Sequence, residues 1–319
     1  MQTYHSLAEV PDAPSAGRVV AIGVFDGVHR GHQEILGRAV EAARARGASG
    51  IAVTFYPHPD AVLRRRSAPP MLTPLSRKEE LLEALGLDEL VVVPFDRDFA
   101  SLSPGAFCSA VLSDHLDARA VLVGENFRFG HGGEGTPGDL RQYGLSHGFE
   151  VVAVGLARED GEVISSTRIR ALLNRGHVAD AARLLGRPHR VEGPVVSGAG
   201  RGRSLEAPTA NLDPRSDMTL PRVGVYVTWS TIDGASSFLS VTSVGTNPTF
   251  ESDGRIRVET LLLDYSGHLY GSHLAVDFIE RIRGQKTFPD AVTLAARIRK
   301  DVEIARAHGA ERRPATGGD

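Results

Sequence analysis

The chain has 319 residues, 41% of them hydrophobic and 24% charged, with a formal net charge of −3 and one cysteine. This length exceeds the usual single-domain size and predicts two cores of ordinary dimensions, while the near-neutral charge balance gives no broad electrostatic reason to bind nucleic acid or membrane. The lone Cys108 excludes an intramolecular disulfide and a multi-cysteine zinc site, and no run of about 18 apolar residues or basic-then-apolar start suggests a spanning helix or secretory signal.

Small-molecule partners, no nucleic acid, no membrane and a cytoplasmic location are therefore expected; nothing in the residues sets an oligomeric state. In chain order, apolar runs at 19–24, 51–55, 90–93, 120–123 and 151–154 read as buried strands. Helical periods lie between them: 33–46 places Ile35, Ala39, Ala42 and Ala43 near one face, and 77–85 and 138–147 supply further crossovers. This alternation predicts a parallel sheet with helices on both faces, whose right-handed crossovers gather the loops after the strands on one ligand-binding edge.

Two short helical segments follow at 169–173 and 178–185, and the pattern changes at Gly186-Arg187-Pro188. Domains are accordingly expected at 1–186 and 187–310, with a disordered tail at 311–319. The second half carries short β-rich runs at 190–196, 223–229, 238–244, 257–263 and 274–278, with Asp233-Gly234 and Asp253-Gly254 as hairpin turns. A terminal helix at 290–307 completes the expectation of a small closed or nearly closed barrel with a helix packed on it. The halves differ in period, so no internal repeat is expected.

The segment Gly23-Val24-Phe25-Asp26-Gly27-Val28-His29-Arg30-Gly31-His32 joins the first strand to a helix expected to start near His32. A unit of this kind aims backbone N–H groups and a helix N-terminus at an anion. Gly27 and Gly31 permit tight turning and close ligand approach, and His29 and His32 can point the same way across a helical turn and donate to phosphate. Such donors stabilise charge building on a transferred phosphoryl group without a covalent step. Gly23, Phe25, Asp26 and Gly31 join the histidines as candidate phosphate-binding residues. Alternatively one or both histidines are surface or capping residues; a zinc pair lacks a third ligand. Asp26 either orients a histidine or stabilises the turn.

In the second half, Ser197-Gly198-Ala199-Gly200-Arg201-Gly202-Arg203 can wrap backbone N–H groups around phosphate, with Gly200, Arg201, Gly202 and Arg203 as the candidates, although it lacks the Gly-Lys-Ser/Thr ending of a Walker A loop and a flexible hairpin stays open. Pro208-Thr209-Ala210-Asn211 then offers two neutral oxygen ligands two residues apart, which share a face if the segment is extended and suit Mg²⁺.

Residues 23–32 resemble the His-x-Gly-His nucleotidylyltransferase superfamily, specifically the N-terminal module of bacterial bifunctional riboflavin kinase/FAD synthetases. Thr54-Phe55-Tyr56-Pro57-His58-Pro59, Val123-Gly124-Glu125-Asn126-Phe127-Arg128-Phe129-Gly130 and Ile164-Ser165-Ser166-Thr167-Arg168-Ile169-Arg170 fall in that family's order. The resemblance implies that His29 and His32 contact ATP phosphates, that Asn126 positions a nucleotide or flavin phosphate, and that Ser166, Thr167 and Arg168 grip the pyrophosphate end. It also implies a flavin-facing wall of Phe55, Pro57, His58 and Pro59. Ordinary roles compete: a Ser-Ser-Thr run caps a helix with or without ligand, and an aromatic-proline stretch after a strand packs a loop.

Leu184-Leu185-Gly186-Arg187-Pro188, Pro-Thr-Ala-Asn at 208–211, Leu220-Pro221-Arg222-Val223-Gly224-Val225-Tyr226, Gly245-Thr246-Asn247-Pro248-Thr249-Phe250 and Leu262-Leu263-Asp264-Tyr265 resemble the riboflavin kinase module. By that likeness Thr209 and Asn211 bind the Mg-nucleotide and Glu259 is the base for the riboflavin 5′-hydroxyl, whereas a lone Glu on a strand is usually a solvated residue. The chain departs from the family pattern at Glu206-Ala207, where Gly-Phe is usual, at Leu261, where many members carry His, and at Gln285, where many carry Glu.

The expected fold is α/β plus β, a Rossmann-like nucleotidylyltransferase domain with a parallel sheet followed by a small riboflavin-kinase β-barrel with a C-terminal helix. The expected activity is bifunctional: riboflavin is phosphorylated to FMN and FMN is adenylylated to FAD, with Mg²⁺ as cofactor and ATP, riboflavin, FMN and FAD as substrates and products. Alternatives are an adenylyltransferase active only on supplied FMN, a non-catalytic flavin-binding module, another nucleotidylyltransferase fused to an unrelated barrel, and a tRNA binder.

Overall fold

The computed structural model describes residues 1–63, 68–196, 209–245 and 256–309, and the chain separates into two compact units, Met1–Ser165 and Ser166–Asp319. The first unit runs β1 (Gln2–Tyr4), β2 (Arg18–Ile22), α1 (Arg30–Arg46), β3 (Ser49–Tyr56), α2 (Pro59–Leu63), α3 (Leu75–Ala84), β4 (Glu89–Pro94), α4 (Arg97–Ala100) and α5 (Pro104–Ala106). A π-helical segment, Phe107–His115, β5 (Ala118–Gly124), α6 (Pro137–His147), β6 (Glu150–Val154) and the hairpin β7 (Arg158–Glu159) and β8 (Glu162–Val163) complete it.

The strands form a six-stranded sheet in the order β1-β4-β3-β2-β5-β6, with every neighbouring pair parallel. Period-two alternation splits their apolar residues between two cores. Val20, Ile22, Ile51, Val53, Val121 and Val123 pack against Cys108, Val111, Leu112 and Leu140 on one face. Val19, Ala21, Ala52, Val92 and Leu122 pack on the other against Leu36, Ala39, Val40 and Ala43 of α1 and Leu82 of α3. The five strands expected from apolar runs are all present. The sixth, β1, is a three-residue edge strand without an apolar run. Helix α1 starts at Arg30, earlier than the apolar period suggested, because a polar first turn is added by the cap described below.

From β2 the chain steps to β3 and then β4 on one side, whereas β5 and β6 lie on the other. The order therefore reverses between β2 and β5, and a crevice opens beyond their carboxyl ends, the usual ligand position in an open parallel sheet.

The second unit begins with α7 (Ser166–Arg175) and α8 (Val178–Leu185). Next come β9 (His189–Val196), β10 (Thr209–Leu212), β11 (Gly224–Ile232), β12 (Ser236–Gly245), β13 (Arg257–Leu262), β14 (His273–Arg283) and α9 (Ala291–Gly309). The strands close into a barrel, β10-β13-β12-β11-β14-β9, antiparallel at each pair. Asp233 and Gly234 both take positive φ, 47° and 72°, as the tight β11–β12 hairpin requires. The expected turn at Asp253-Gly254 and the tail at 311–319 lie outside the described residues.

Inside this barrel the hydroxyls of Thr228, Ser230, Ser240, Thr242 and Thr260 are fully buried. They satisfy one another across the strands in a closed ring, with Thr228–Ser240 at 2.8 Å, Thr228–Thr242, Ser230–Ser240 and Thr242–Thr260 at 2.7 Å and Ser230–Thr260 at 3.4 Å; mutual bonding removes most of the desolvation cost of small polar side chains in a core. Val225, Val227, Val241, Leu261, Leu263 and Ile279 face outward instead and are covered by Ala305, Ile298 and Val302 of α9. An ion cluster locks that helix on: Asp301, 1% exposed, pairs with Arg283 of β14 at 2.7 Å and with Arg297 at 3.1 Å.

Asp301→Ala leaves the Arg283 guanidinium beneath α9 without its carboxylate and is expected to destabilise the second unit by about 3–5 kcal/mol, read as a lower denaturant midpoint for that unit.

Candidate active sites

The first site grows out of the turn that leaves β2. Phe25, Gly27 and Val28 take φ of 50°, 86° and 39°, a left-handed course that glycine tolerates and that β-branched Val28 adopts only when its surroundings compel it. Phe25 folds its ring back under the turn, 1% exposed; a Cβ at residue 23 would lie 2.8 Å from that ring, so Gly23 is required by close packing. Gly23 N–H bonds the Val53 carbonyl at 3.1 Å and Val28 N–H bonds the Phe25 carbonyl at 3.1 Å.

The turn delivers His29 to the N-cap of α1. Its Nδ1 accepts the His32 backbone N–H at 3.3 Å, so a neutral imidazole carries its proton on Nε2. His29 is 6% exposed, and its ring stacks on that of His32 with centroids 3.6 Å apart and planes 17° apart. The Phe25 edge braces His32 from the other side at 5.4 Å. Capping and ligand binding, alternatives in the sequence, are thus compatible for His29: the cap engages one ring nitrogen and orients the other. Arg30 is tied to Glu159 of the β7–β8 hairpin at 2.7 Å, and Gly31 faces Ala157.

Asp26 is 5% exposed and accepts the backbone N–H groups of Leu72, at 3.0 and 3.1 Å, and of Thr73, at 3.2 Å. It pins the turn to the segment leading into α3. Lys78 of α3, which the sequence reading passed over, is 7% exposed and donates to the Val24 carbonyl at 2.8 Å and to Thr54 Oγ1 at 3.3 Å. Burial pushes its ammonium down to about 8, with the nearby Asp26 and Glu79 carboxylates opposing the shift. One signal for it existed: Leu75, Lys78 and Leu82 share a helix face at i, i+3 and i+7.

The remaining candidates of the first unit follow the carboxyl ends of β5 and β3. Asn126 sits in the turn after β5, its Oδ1 3.1 Å from the position a Cβ on Gly124 would occupy, so Gly124 leaves room for the amide. Phe55, the penultimate residue of β3, joins an aromatic cluster with Phe95 and Phe99, at 5.7 and 5.9 Å. The Tyr56–Pro57 peptide is cis, His58 Nδ1 accepts the Asp60 N–H at 3.2 Å, and Pro59 opens α2. Packing and local capping engage Phe55 and His58, while the parallel topology sets all these residues along the same sheet edge as His29. Ser166, Thr167 and Arg168 form the first turn of α7, at the start of the second unit.

The second site lies on the outer face of the barrel. Strand β10 is extended, so Thr209 and Asn211 share a face while Ala210 and Leu212 point into the barrel. Asn211 is directly opposite Glu259 of β13, and Glu259 is opposite Ser243 of β12; opposed antiparallel residues hold their Cβ atoms about 4.5–5.5 Å apart. Thr209 lies opposite Leu261, which is opposite Val241. The exposed Glu259 thus neighbours the half-buried Asn211, while Leu261 extends the apolar cluster under α9. The next row pairs Gly245 with Arg257, and Gln285 lies so close to Gly245 that a Cβ there would be 2.5 Å from its Oε1. Gln285 therefore belongs to the same end of the barrel as Glu259. Gly200, Arg201, Gly202, Arg203, Glu206 and Ala207 lie outside the described residues.

Neutral, hard oxygen donors at Thr209 and Asn211 suit Mg²⁺ bound together with nucleotide phosphates. Among the described residues no group of three or more His, Cys, Asp or Glu side chains forms a metal cage, and no helix is long and apolar enough to cross a membrane.

Comparison with known proteins gives two family matches: the FAD synthetase model over residues 12–168 and the riboflavin kinase model over residues 185–308. The first includes Ser166, Thr167 and Arg168. A bifunctional riboflavin kinase/FMN adenylyltransferase of Listeria monocytogenes is 35% identical over 91% of this chain and 92% of its own. The protein of the same name from Escherichia coli K12 is 36% identical over 96% and 97%. A crystal structure from Streptococcus pneumoniae, titled a macrolide-efflux protein, superposes with a TM-score of 0.83 at 31% identity over 95% of this chain and 98% of its own.

Two stability predictions follow from the first site. His29→Asn keeps a side-chain acceptor for the His32 N–H and is expected to unfold close to the wild type, whereas His29→Ala loses the cap and about 1 kcal/mol; thermal unfolding separates the two. Because Lys78 titrates lower folded than unfolded, the stability contributed by its neutral form is fully present above the ordinary 10.5 and is lost as pH falls through about 8. The melting temperature of wild type relative to Lys78→Met is expected to rise between those pH values.

Proposed function

This chain belongs to the family of bifunctional riboflavin kinases/FMN adenylyltransferases, and we propose that residues 1–186 carry the adenylyl transfer and residues 187–310 the phosphorylation. It is a transferase of FAD synthesis: ATP-dependent phosphorylation of riboflavin yields FMN, and adenylylation of FMN yields FAD and pyrophosphate.

The observation that carries the kinase assignment is the cross-strand pair Asn211–Glu259 beside Thr209 on one outer face. The Glu259 carboxylate accepts the proton of the riboflavin 5′-hydroxyl as that oxygen bonds to the γ-phosphorus; the bond to the β,γ-bridging oxygen breaks and ADP leaves. A carboxylate held on the strand face can accept an alcohol proton and orient the hydroxyl for attack, which suits this task. Thr209 and Asn211 would hold Mg²⁺ together with the nucleotide, and the ion would supply positive charge against the phosphates.

In the first unit an oxygen of the FMN phosphate attacks the α-phosphorus of ATP, and the bond to the α,β-bridging oxygen breaks to release pyrophosphate. His29 and His32, stacked and oriented by the cap, donate to the phosphates at the amino end of α1, where the helix dipole adds to their effect. Gly23, Phe25, Asp26 and Gly31 shape that turn, and Asn126 positions a phosphate from the β5 side. Phe55, Pro57, His58 and Pro59 line the flavin side. The chain acts on small molecules in the cytoplasm, where ATP is supplied, and binds neither nucleic acid nor membrane. The efflux title of the Streptococcus pneumoniae structure is not carried over, since the two enzyme models account for most of this chain.

Purified protein is incubated with ATP, Mg²⁺ and either riboflavin or FMN, and the flavins are separated chromatographically. Riboflavin is expected to pass through FMN to FAD; FAD formed only from supplied FMN would mean an inactive kinase, and no product from either would sink the proposal. Glu259→Gln is expected to lower FMN formation by roughly 100-fold or more while FAD formation from FMN continues.

A further inference from the structure

The turn from Val24 to Val28 stores backbone strain, with two non-glycine residues at positive φ, and strained backbone persists only where its surroundings over-determine it. Much of what holds it comes from outside the turn. Lys78 reaches from α3 to the Val24 carbonyl at 2.8 Å and the Thr54 hydroxyl at 3.3 Å, and Thr54 donates to the same carbonyl at 3.0 Å. Two residues along, the Asp26 carboxylate is held by the N–H groups of Leu72 and Thr73, just ahead of α3. Both fastenings grip the turn a few residues before the N-cap His29.

A buried ammonium is an expensive way to fill space, because an apolar side chain of similar volume costs no charge desolvation. What Lys78 adds over methionine is direction: an N–H aimed at one carbonyl oxygen of a turn that would otherwise relax toward ordinary φ values. Relaxation there moves the His29 and His32 rings, which the turn feeds directly into α1.

We propose that Lys78 is a positioning residue for adenylyl transfer: its Nζ, seated on the Val24 carbonyl and the Thr54 hydroxyl, holds the strained turn in the shape that presents His29 and His32 to the nucleotide. This rests on the assignment of that histidine pair to the phosphates.

The test uses the full chain as wild type, Lys78→Met and Thr54→Val, with kcat and KM measured for FMN to FAD and, on the same preparations, for riboflavin to FMN. Lys78→Met is expected to lower adenylyl-transfer kcat by roughly 100-fold and Thr54→Val by roughly 10-fold, since misplacement on the order of 1 Å costs about that much. KM for ATP and for FMN should shift by less than about threefold, as for an interaction realised in the transition state, and kinase kcat should stay at the wild-type value. Wild-type adenylyl kcat in both variants, or a rise in KM alone, overturns the proposal. Should Lys78→Met lose both activities through misfolding, Thr54→Val decides: a selective fall in adenylyl kcat supports the proposal, and an unchanged kcat overturns it. His29→Asn and His32→Asn, run alongside, keep the premise separate. If they remain fully active the histidine assignment has failed, and if they are inactive while the Lys78 and Thr54 variants match wild type only the positioning role has.

Discussion

The first unit depends on the tight left-handed turn that carries the chain from β2 into α1. A parallel sheet whose strand order reverses between β2 and β5 opens its crevice where that turn must run, so the segment has to double back within a few residues and still end in helix-starting geometry. Phe25, Gly27 and Val28 do this at positive φ, and the cost is met by anchors on three sides: the β3 backbone at Val53, the Lys78 and Thr54 side chains, and the Leu72 and Thr73 amides on Asp26. One outcome is chemical. With His29 at the N-cap, its Nδ1 is committed to the helix and the orientation of its ring is set by that bond.

The second unit places its reactive residues by a different device. Alternation along β10, β12 and β13 sends Ala210, Thr242 and Thr260 into the barrel and Asn211, Ser243 and Glu259 out of it. A slip of one residue in register would reverse every assignment, burying a carboxylate and exposing the hydroxyl ring. The register is secured by barrel closure and by the apolar strip under α9, into which Leu261 fits. That packing gives a physical reason for leucine at the position where, by the family resemblance, many members carry histidine.

Much of the architecture was legible before any coordinates. Buried parallel strands read as unbroken apolar runs, and β2 to β6 were found from them because both sheet faces are covered. The Gly23–His32 segment and the Thr209–Asn211 pair stood out through residue type and spacing. Strand β1 escaped because Gln2, Thr3 and Tyr4 make no apolar run and are a strand only through pairing with β4. Lys78 escaped because it sits in a charged stretch, Ser76-Arg77-Lys78-Glu79-Glu80, that looks solvated until α3 turns that face toward the turn after β2.

Local patterns by themselves determined the two periodic regimes, and hence a parallel α/β unit and a β-barrel with a helix, together with the residue types available at each site. Periodicity and turn chemistry act over a few residues and are written into the chain directly. Only the tertiary structure decided which of those residues meet: Glu259 across from Asn211, Gln285 beside Gly245, Lys78 beneath Val24, His29 on the amino end of its own helix with His32 stacked against it. Most of these contacts join residues tens of positions apart, and His29 and His32, though only three positions apart in sequence, stack as they do because a turn anchored by β3 and α3 sets their approach; such placement comes from long-range packing.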